Sequence, residues 1–170
     1  MHTIYESFFP EAYEVKQEPV NDEEYVFSLL SKSKSGNCPT CGMTSNRLHG
    51  CQEKTVRDLP ILGRTVTLQV TQKKYFCDNK DCDTDIFTER SEFIPYYTQF
   101  TTRCREYMLR VATHVSCEAA VKILSYQGIR VSGDTLLYML KAAGNDYKIK
   151  PGSKIGVDDW AYIQKMHMGV

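Results

Sequence analysis

Four cysteines, at positions 38, 41, 77 and 82, are the residues whose type and spacing most directly imply chemistry. They stand in C-P-T-C-G at 38 to 42 and in C-D-N-K-D-C at 77 to 82. One pair is C-x₂-C and the other C-x₄-C, and both spacings let two thiolates from one tight turn reach the same ion. Cys38, Cys41, Cys77 and Cys82 are therefore assigned as the ligands of one structural Zn²⁺ in a tetrahedral all-sulfur site. Gly42 permits the positive φ that such a turn often requires. The segment between the pairs is long enough to form a hairpin that brings the chain back to the same place, which is the zinc-ribbon arrangement.

The competing chemistry for C-P-T-C is a redox pair, which needs a βαβ setting and a low-pKa thiol at a helix N-terminus. The surrounding sequence offers neither. His49 and Cys51 stand close enough in the chain to replace a ligand, but packing or hydrogen bonding is the expected role of each. Cys104 and Cys117 fall in helical segments and are expected in the core. A structural zinc supplies on the order of 10 kcal/mol of folding free energy. A short ribbon with little apolar surface would find that stability hard to obtain otherwise, so chelation or Cys41→Ser is expected to unfold it.

The totals agree with an intracellular metalloprotein. The chain has 170 residues, 42% hydrophobic and 25% charged, with a formal net charge of zero, the composition of one or two globular domains. No apolar run reaches membrane-spanning length, and M-H-T-I-Y-E-S-F-F-P lacks a signal-peptide pattern, so the expected location is the cytoplasm and no membrane partner is expected. Seven cysteines in a reducing compartment persist as thiols or metal ligands. The neutral total hides a gradient. Residues 1 to 37 carry three Lys/Arg against seven Asp/Glu, whereas residues 101 to 150 carry eight against four. Such a surplus is more often an ordinary solvated face than a nucleic-acid footprint.

The elements that must position the cysteines can be read in order. Residues 1 to 37 form an acidic lead in which E-Y-V-F-S-L-L fits a strand or a short helix capped by Asn21, with the strand preferred, followed by the loop S-K-S-K-S-G-N. Residues 38 to 100 are the zinc-ribbon. Within it T-V-R-D-L, the turn P-I-L-G-R and the run T-V-T-L-Q-V-T-Q-K-K-Y-F alternate Val66, Leu68 and Val70 with polar residues, the period-2 signature of a half-buried strand. From Thr101 the period changes. Tyr107, Met108, Val111 and Val115 mark one helix, Ala119, Ala120, Ile123 and Leu124 a second that stops at Gly128, and Ser132 caps a third containing Leu136, Leu137 and Leu140. Residues 101 to 145 are thus expected to be a helix-turn-helix domain, and 146 to 170 a linker followed by the strand K-I-G-V-D-D-W-A-Y.

In a helix-turn-helix the second helix of the pair offers its N-terminal side chains to the DNA major groove. Ala119 and Ala120 supply the small residues for the crossing and Gly128 the break. The DNA-contacting candidates are Ser132, Thr135, Tyr138 and Lys141 on the third helix and Arg130 in the turn, with Arg103, Arg105 and Lys122 available to phosphate oxygens.

Taken together these pieces resemble the start of a bacterial insertion-sequence transposase of the ISL-three type. The matching residues are C-P-T-C-G, R-L-H-G-C with V-R-D-L-P at 56 to 60, K-K-Y-F-C-D-N-K-D-C, and I-F-T-E-R at 86 to 90, then V-S-G-D-T-L-L at 131 to 137 and I-G-V-D-D-W-A-Y at 155 to 162. The resemblance covers about residues 24 to 170. The family often has Ser at Gly50 and an aromatic at Gln52, departures that leave the cysteines untouched.

The resemblance implies an α+β fold: an all-Cys zinc-ribbon β domain, a three-helix helix-turn-helix domain and a truncated first strand of an RNase H-like DDE domain. It also implies double-stranded DNA at transposon terminal inverted repeats as the partner, and assembly of identical chains. In the family, Mg²⁺ ions held by three separated acids drive in-line phosphoryl displacement. Asp158 would be the first of those acids, with Asp159 as the alternative. The sequence ends 12 residues past Asp158, so no strand transfer is expected from this polypeptide alone. Two other function classes stay open: a stand-alone zinc-ribbon transcription regulator, and a zinc-stabilised protein-interaction module.

Overall fold

The structure is a computed structural model and describes residues 4–18 and 23–145. A short 3-10 helix, Ile4–Phe8, leads into β1 (Tyr13–Gln17) and β2 (Glu24–Ser31). The two-residue strands β3 (Gly36–Asn37) and β4 (Thr44–Ser45) follow, then the long pair β5 (Leu48–Ile61) and β6 (Arg64–Phe76), and the short β7 (Ile86–Thr88). Three helices complete the described part: α1 (Thr102–Ala112), α2 (Cys117–Tyr126) and α3 (Gly133–Asn145).

β6 is the centre of the main sheet, whose order is β1-β2-β6-β5. β5 runs antiparallel along one edge of β6. On the other edge β2 pairs in parallel with residues 65 to 71, and β7 takes over antiparallel at 74 to 76. Alternation on β6 puts Val66, Leu68 and Val70 on one face, and all three are buried. Register aligns Phe27 and Val56 with Leu68, and Leu29 with Val70. Phe9, Tyr13, Val15 and Ile94 close this core. Burying each such side chain contributes roughly 1.5–3 kcal/mol.

E-Y-V-F-S-L-L is a strand, as its sequence suggests, but it is not an appendage to the ribbon. Its backbone bonds to β6, so the segment preceding residue 38 and the hairpin following it share one sheet and one apolar core. The premise of a hairpin with little apolar surface is corrected accordingly. A parallel pair needs a long connection, and here it is supplied by β3, β4 and β5.

At the β5–β6 turn Leu62 (φ 51°) and Gly63 (φ 78°) are both left-handed, the backbone of a type I′ hairpin turn. Glycine adopts this conformation freely; leucine does so at a cost.

The helices begin at side-chain caps. The Thr101 hydroxyl accepts from the Cys104 N–H, the Ser116 hydroxyl from the Ala119 N–H, and the Ser132 hydroxyl from the Thr135 N–H, each satisfying a donor that has no intrahelical partner. The buried faces are Cys104, Met108 and Ala112 on α1, Ala120 and Leu124 on α2, and Leu136 and Met139 on α3. Three expected core positions are therefore corrected. Val115 lies beyond the α1 C-cap at Thr113 and is exposed, as are Ile123 and Leu137. The apolar stripe follows i, i+4 on α1 and α2 and i, i+3 on α3, toward the core the three helices share, so apolar residues one position off it face solvent.

The helices are carried by β5. The Arg57 N–H donates to Gln99 O (2.7 Å) and the Thr101 N–H to Arg57 O (3.0 Å). Leu59 packs into the helical core beside Phe100. Asp58, buried, accepts from the Thr101 hydroxyl at 2.6 Å and from Arg103 Nε at 2.8 Å, with a second guanidinium nitrogen on its other oxygen. Gly128 (φ 85°) ends α2 where a Cβ would stand 3.5 Å from Gly63 O and 3.6 Å from the Pro60 ring, so the α2–α3 turn rests on the tip of the β5–β6 hairpin.

Candidate metal centre

Each cysteine pair sits on a tight turn held by its own backbone. In the first, the Gly42 N–H donates to Cys38 O and the Cys38 N–H to Met43 O, both at 2.9 Å. Gly42, at φ 76°, occupies the left-handed position its sequence context suggests. In the second, the Cys77 N–H donates to Asp85 O (2.8 Å), the Cys82 N–H to Asn79 O (3.2 Å), and the Asp81 N–H to Asn79 Oδ1 (3.0 Å). The Thr40 and Thr84 hydroxyls meet at 2.7 Å and join the two turns.

These turns bring the four sulfurs into one cluster. Cys38 Sγ lies 3.8 Å from Cys82 Sγ, and Cys41 Sγ 3.6 Å from Cys77 Sγ. The ligand atoms of all four residues lie within 4.8 Å of one another. A tetrahedron with Zn–S bonds of 2.3 Å has edges of about 3.8 Å, so the donor set fits zinc in both chemistry and spacing. Bound there, zinc would neutralise thiolate charge and tie the two turns together.

The polypeptide already favours ionisation at part of this set. The Cys38 thiol is lowered to about 6, chiefly by the Cys41 N–H. That of Cys41 is lowered chiefly by the Met43 N–H. At Cys77 the Asn79 N–H pulls down, but desolvation and the Cys41 and Cys38 sulfurs outweigh it and push the thiol up to about 12. At Cys82 the Thr84 N–H likewise pulls down and is outweighed by desolvation and the same two sulfurs, so that thiol is also raised. Four sulfurs this close cannot all carry charge unless a cation compensates them.

Aromatic packing fixes the cluster to the sheet. Cys38, Tyr75 and Phe87 are buried together with Cys77 and Cys82 against them. Tyr75 is an odd offset from Val66, Leu68 and Val70, so strand alternation points it to the opposite face from the main core. Its hydroxyl and Lys73 Nζ both donate to Ser33 O, at 3.2 and 2.6 Å. Gly36 is required by close approach, because a Cβ there would lie 2.9 Å from Tyr75 Cδ2. Arg47 lies over the Phe76 ring, 4.6 Å from its centroid, and pairs with Asp78 at 2.9 Å.

Sequence reasoning missed Tyr75, Phe87, Gly36 and the two threonines. The available signal was the aromatic pair directly preceding Cys77.

The remaining thiols and the histidine stand apart from the cluster. His49 packs edge-on against Phe76 at 4.9 Å, and Cys51 is exposed. Cys104 is buried and Cys117 half-buried. Burial, and then the Asp58 charge, push the Cys104 thiol up to about 12 against the pull of Arg103.

Of the DNA-contact candidates, Lys122, Arg130, Ser132, Tyr138 and Lys141 are exposed, and Arg105 and Thr135 half-buried. The Ser132 hydroxyl is engaged as the α3 cap and with Thr135 Oγ1 at 2.8 Å. Arg103 is engaged within the chain: its guanidinium pairs with Asp58 and donates to Phe8 O (2.7 Å), and it lies over the Phe93 and Phe9 rings. It joins helix to sheet. Asp158 and Asp159, with all of 146 to 170, lie outside the described residues.

Comparison with known proteins places the cysteine cluster in a family context. Residues 34–82 match the family model described as the zinc-finger of transposase IS204/IS1001/IS1096/IS1165. Neither the curated proteins nor the solved structures yield a match to the chain. The chain thus carries a transposase-type zinc-finger segment whose four cysteines form a metal-binding cluster on a mixed α+β scaffold. Among the described residues no helix is long and apolar enough to cross a membrane.

Proposed function

We propose that this chain is the DNA-end-recognition region of an insertion-sequence transposase, in which the zinc-ribbon and the three helices together bind the terminal inverted repeats as duplex DNA. The observation that carries this reading is the four-sulfur cluster lying within a transposase zinc-finger segment. α2 and α3 act as a helix-turn-helix. Their turn is broken at a left-handed Gly128, α3 is capped by Ser132, and Tyr138 and Lys141 stand exposed on α3 with Arg130 just before it. Such side chains suit the major groove and its flanking phosphates.

Zinc is structural in this reading. Asp158 is the first acid of a DDE set that would hold Mg²⁺ in company with acids elsewhere, and identical chains act together.

The experiment is duplex binding as a function of salt. Zinc-loaded protein binds element-end duplex with an affinity that falls steeply with ionic strength, because each neutralised phosphate releases counterions with a slope of about 0.9 per contact. Lys141→Gln and Arg130→Gln each lower that slope. Absence of duplex binding, or binding indifferent to salt, refutes the proposal and favours a protein-interaction module.

A further inference from the structure

Beside the metal cluster lies a cleft of about 320 Å³ that the ribbon and helix assignments leave unused. Its walls include Pro39 from the first cysteine turn, Lys74 on β6, Ile86 on β7, and Arg90, Tyr96 and Tyr97 from the segment that follows. Tyr97 is 92% exposed. It does not stand on a loose loop. Lys54 Nζ donates to the carbonyls of both Pro95 and Tyr96 at 2.8 Å and pins the backbone beneath it. The two tyrosine rings meet edge to face at 4.4 Å, and Arg90 lies 6.0 Å from the Tyr96 centroid.

The charge in the cleft has one sign. Its lining contains no carboxylate, and among the described residues neither Lys74 nor Arg90 has an ion-pair partner. Asp83 and Asp85 flank Thr84 of the lining in the chain but do not line it. Two unpaired cations beside exposed, positioned aromatic rings are the elements of a single-strand nucleic-acid site: the cations take phosphates, and a ring stacks on a base that no partner strand covers.

We infer that this cleft binds single-stranded DNA, with an unpaired base stacked on Tyr97 and its phosphates on Lys74 and Arg90. A duplex offers no free base face at this position, so the preference is for a single strand. The site lies at the ribbon end of the sheet and does not depend on α3, so it stands independently of the duplex reading proposed above.

The test is fluorescence anisotropy of the zinc-loaded full chain with a labelled oligothymidine, its duplex counterpart and the matching oligouridine. Tyr97→Ala weakens oligothymidine binding at least about fivefold, the low end of what loss of one base–aromatic stack costs. Tyr97→Phe, which keeps the ring, binds as the parent does. Arg90→Gln and Lys74→Gln each reduce the salt slope by about 0.7, the value per phosphate for single strands. Arg90 and Tyr97 are exposed and Lys74 half-buried, and zinc content and circular dichroism establish that each of the four variants is folded.

The inference is overturned if Tyr97→Ala binds oligothymidine as tightly as the parent, if Tyr97→Phe is as weak as Tyr97→Ala, or if oligouridine binds and oligothymidine does not. Lys141→Gln separates the two readings. Loss of duplex binding with intact oligothymidine binding leaves this site standing. Loss of both together places the single strand on the helices and refutes it.

Discussion

Arg103 offers the sharpest test of how the helices are held. Asp58 is 1% exposed at its side chain and Arg103 is 40% exposed. The carboxylate receives two guanidinium nitrogens and the Thr101 hydroxyl. Arg103→Met keeps the aliphatic packing against Phe9 and Phe93 but leaves a buried carboxylate with one neutral donor. Removing one partner of a buried pair costs about 3–5 kcal/mol. Water can reach the outer part of the guanidinium site, which places the expected loss at the lower end, about 3 kcal/mol. For a chain of this size that corresponds to a fall of about 10 °C in Tm.

The assay is urea unfolding of the single variants Arg103→Met and Asp58→Asn and of the double variant. The double variant should lose less than the two singles combined, because it strands no charge. An Arg103→Met protein within about 0.5 kcal/mol of the parent that binds duplex with a reduced salt slope would refute the reasoning and return Arg103 to the phosphate backbone.

Three further outcomes follow from the same structure. Chelation, or Cys41→Ser, should release zinc and dismantle the two cysteine turns with the Tyr75 packing while the sheet over Phe27, Leu29 and Leu68 survives; near-ultraviolet dichroism should collapse with far-ultraviolet dichroism largely kept, and an unchanged near-ultraviolet spectrum would contradict this. Cys104 is raised from 9.0 to about 12 by burial and the Asp58 charge, so its stabilising contribution is complete below pH 9 and is lost as pH climbs toward 12. Tyr13, also raised by burial, acts in the same direction. Urea midpoints should fall over that range, less steeply in Cys104→Ala, and a flat profile would count against both assignments. Leu62, 91% exposed at φ 51°, gains nothing from burial and bears a left-handed backbone, so Leu62→Asn should stabilise the hairpin by about 1 kcal/mol, read as a higher unfolding midpoint.

Much of the local structure was legible because its causes are local. Two thiolates at C-x₂-C or C-x₄-C spacing must share a turn, Val66, Leu68 and Val70 alternate because a strand has two faces, and Ser132 before an apolar period is a helix cap. These features needed only nearest neighbours in the chain.

The structure decided what depends on residues far apart meeting. The parallel pairing of β2 with β6 brings residues 24 to 30 against 65 to 71, and no periodicity within either segment names its partner. The wall of Tyr75 and Phe87 behind the sulfurs exists because β7 folds onto the outer end of β6. Arg103 looked like a surface cation on an amphipathic helix, but a carboxylate 45 residues earlier, on β5, captured it. A side chain's type and local period state what it can do, whereas burial and counter-charge come from distant segments brought together, and these settle which of its roles it performs.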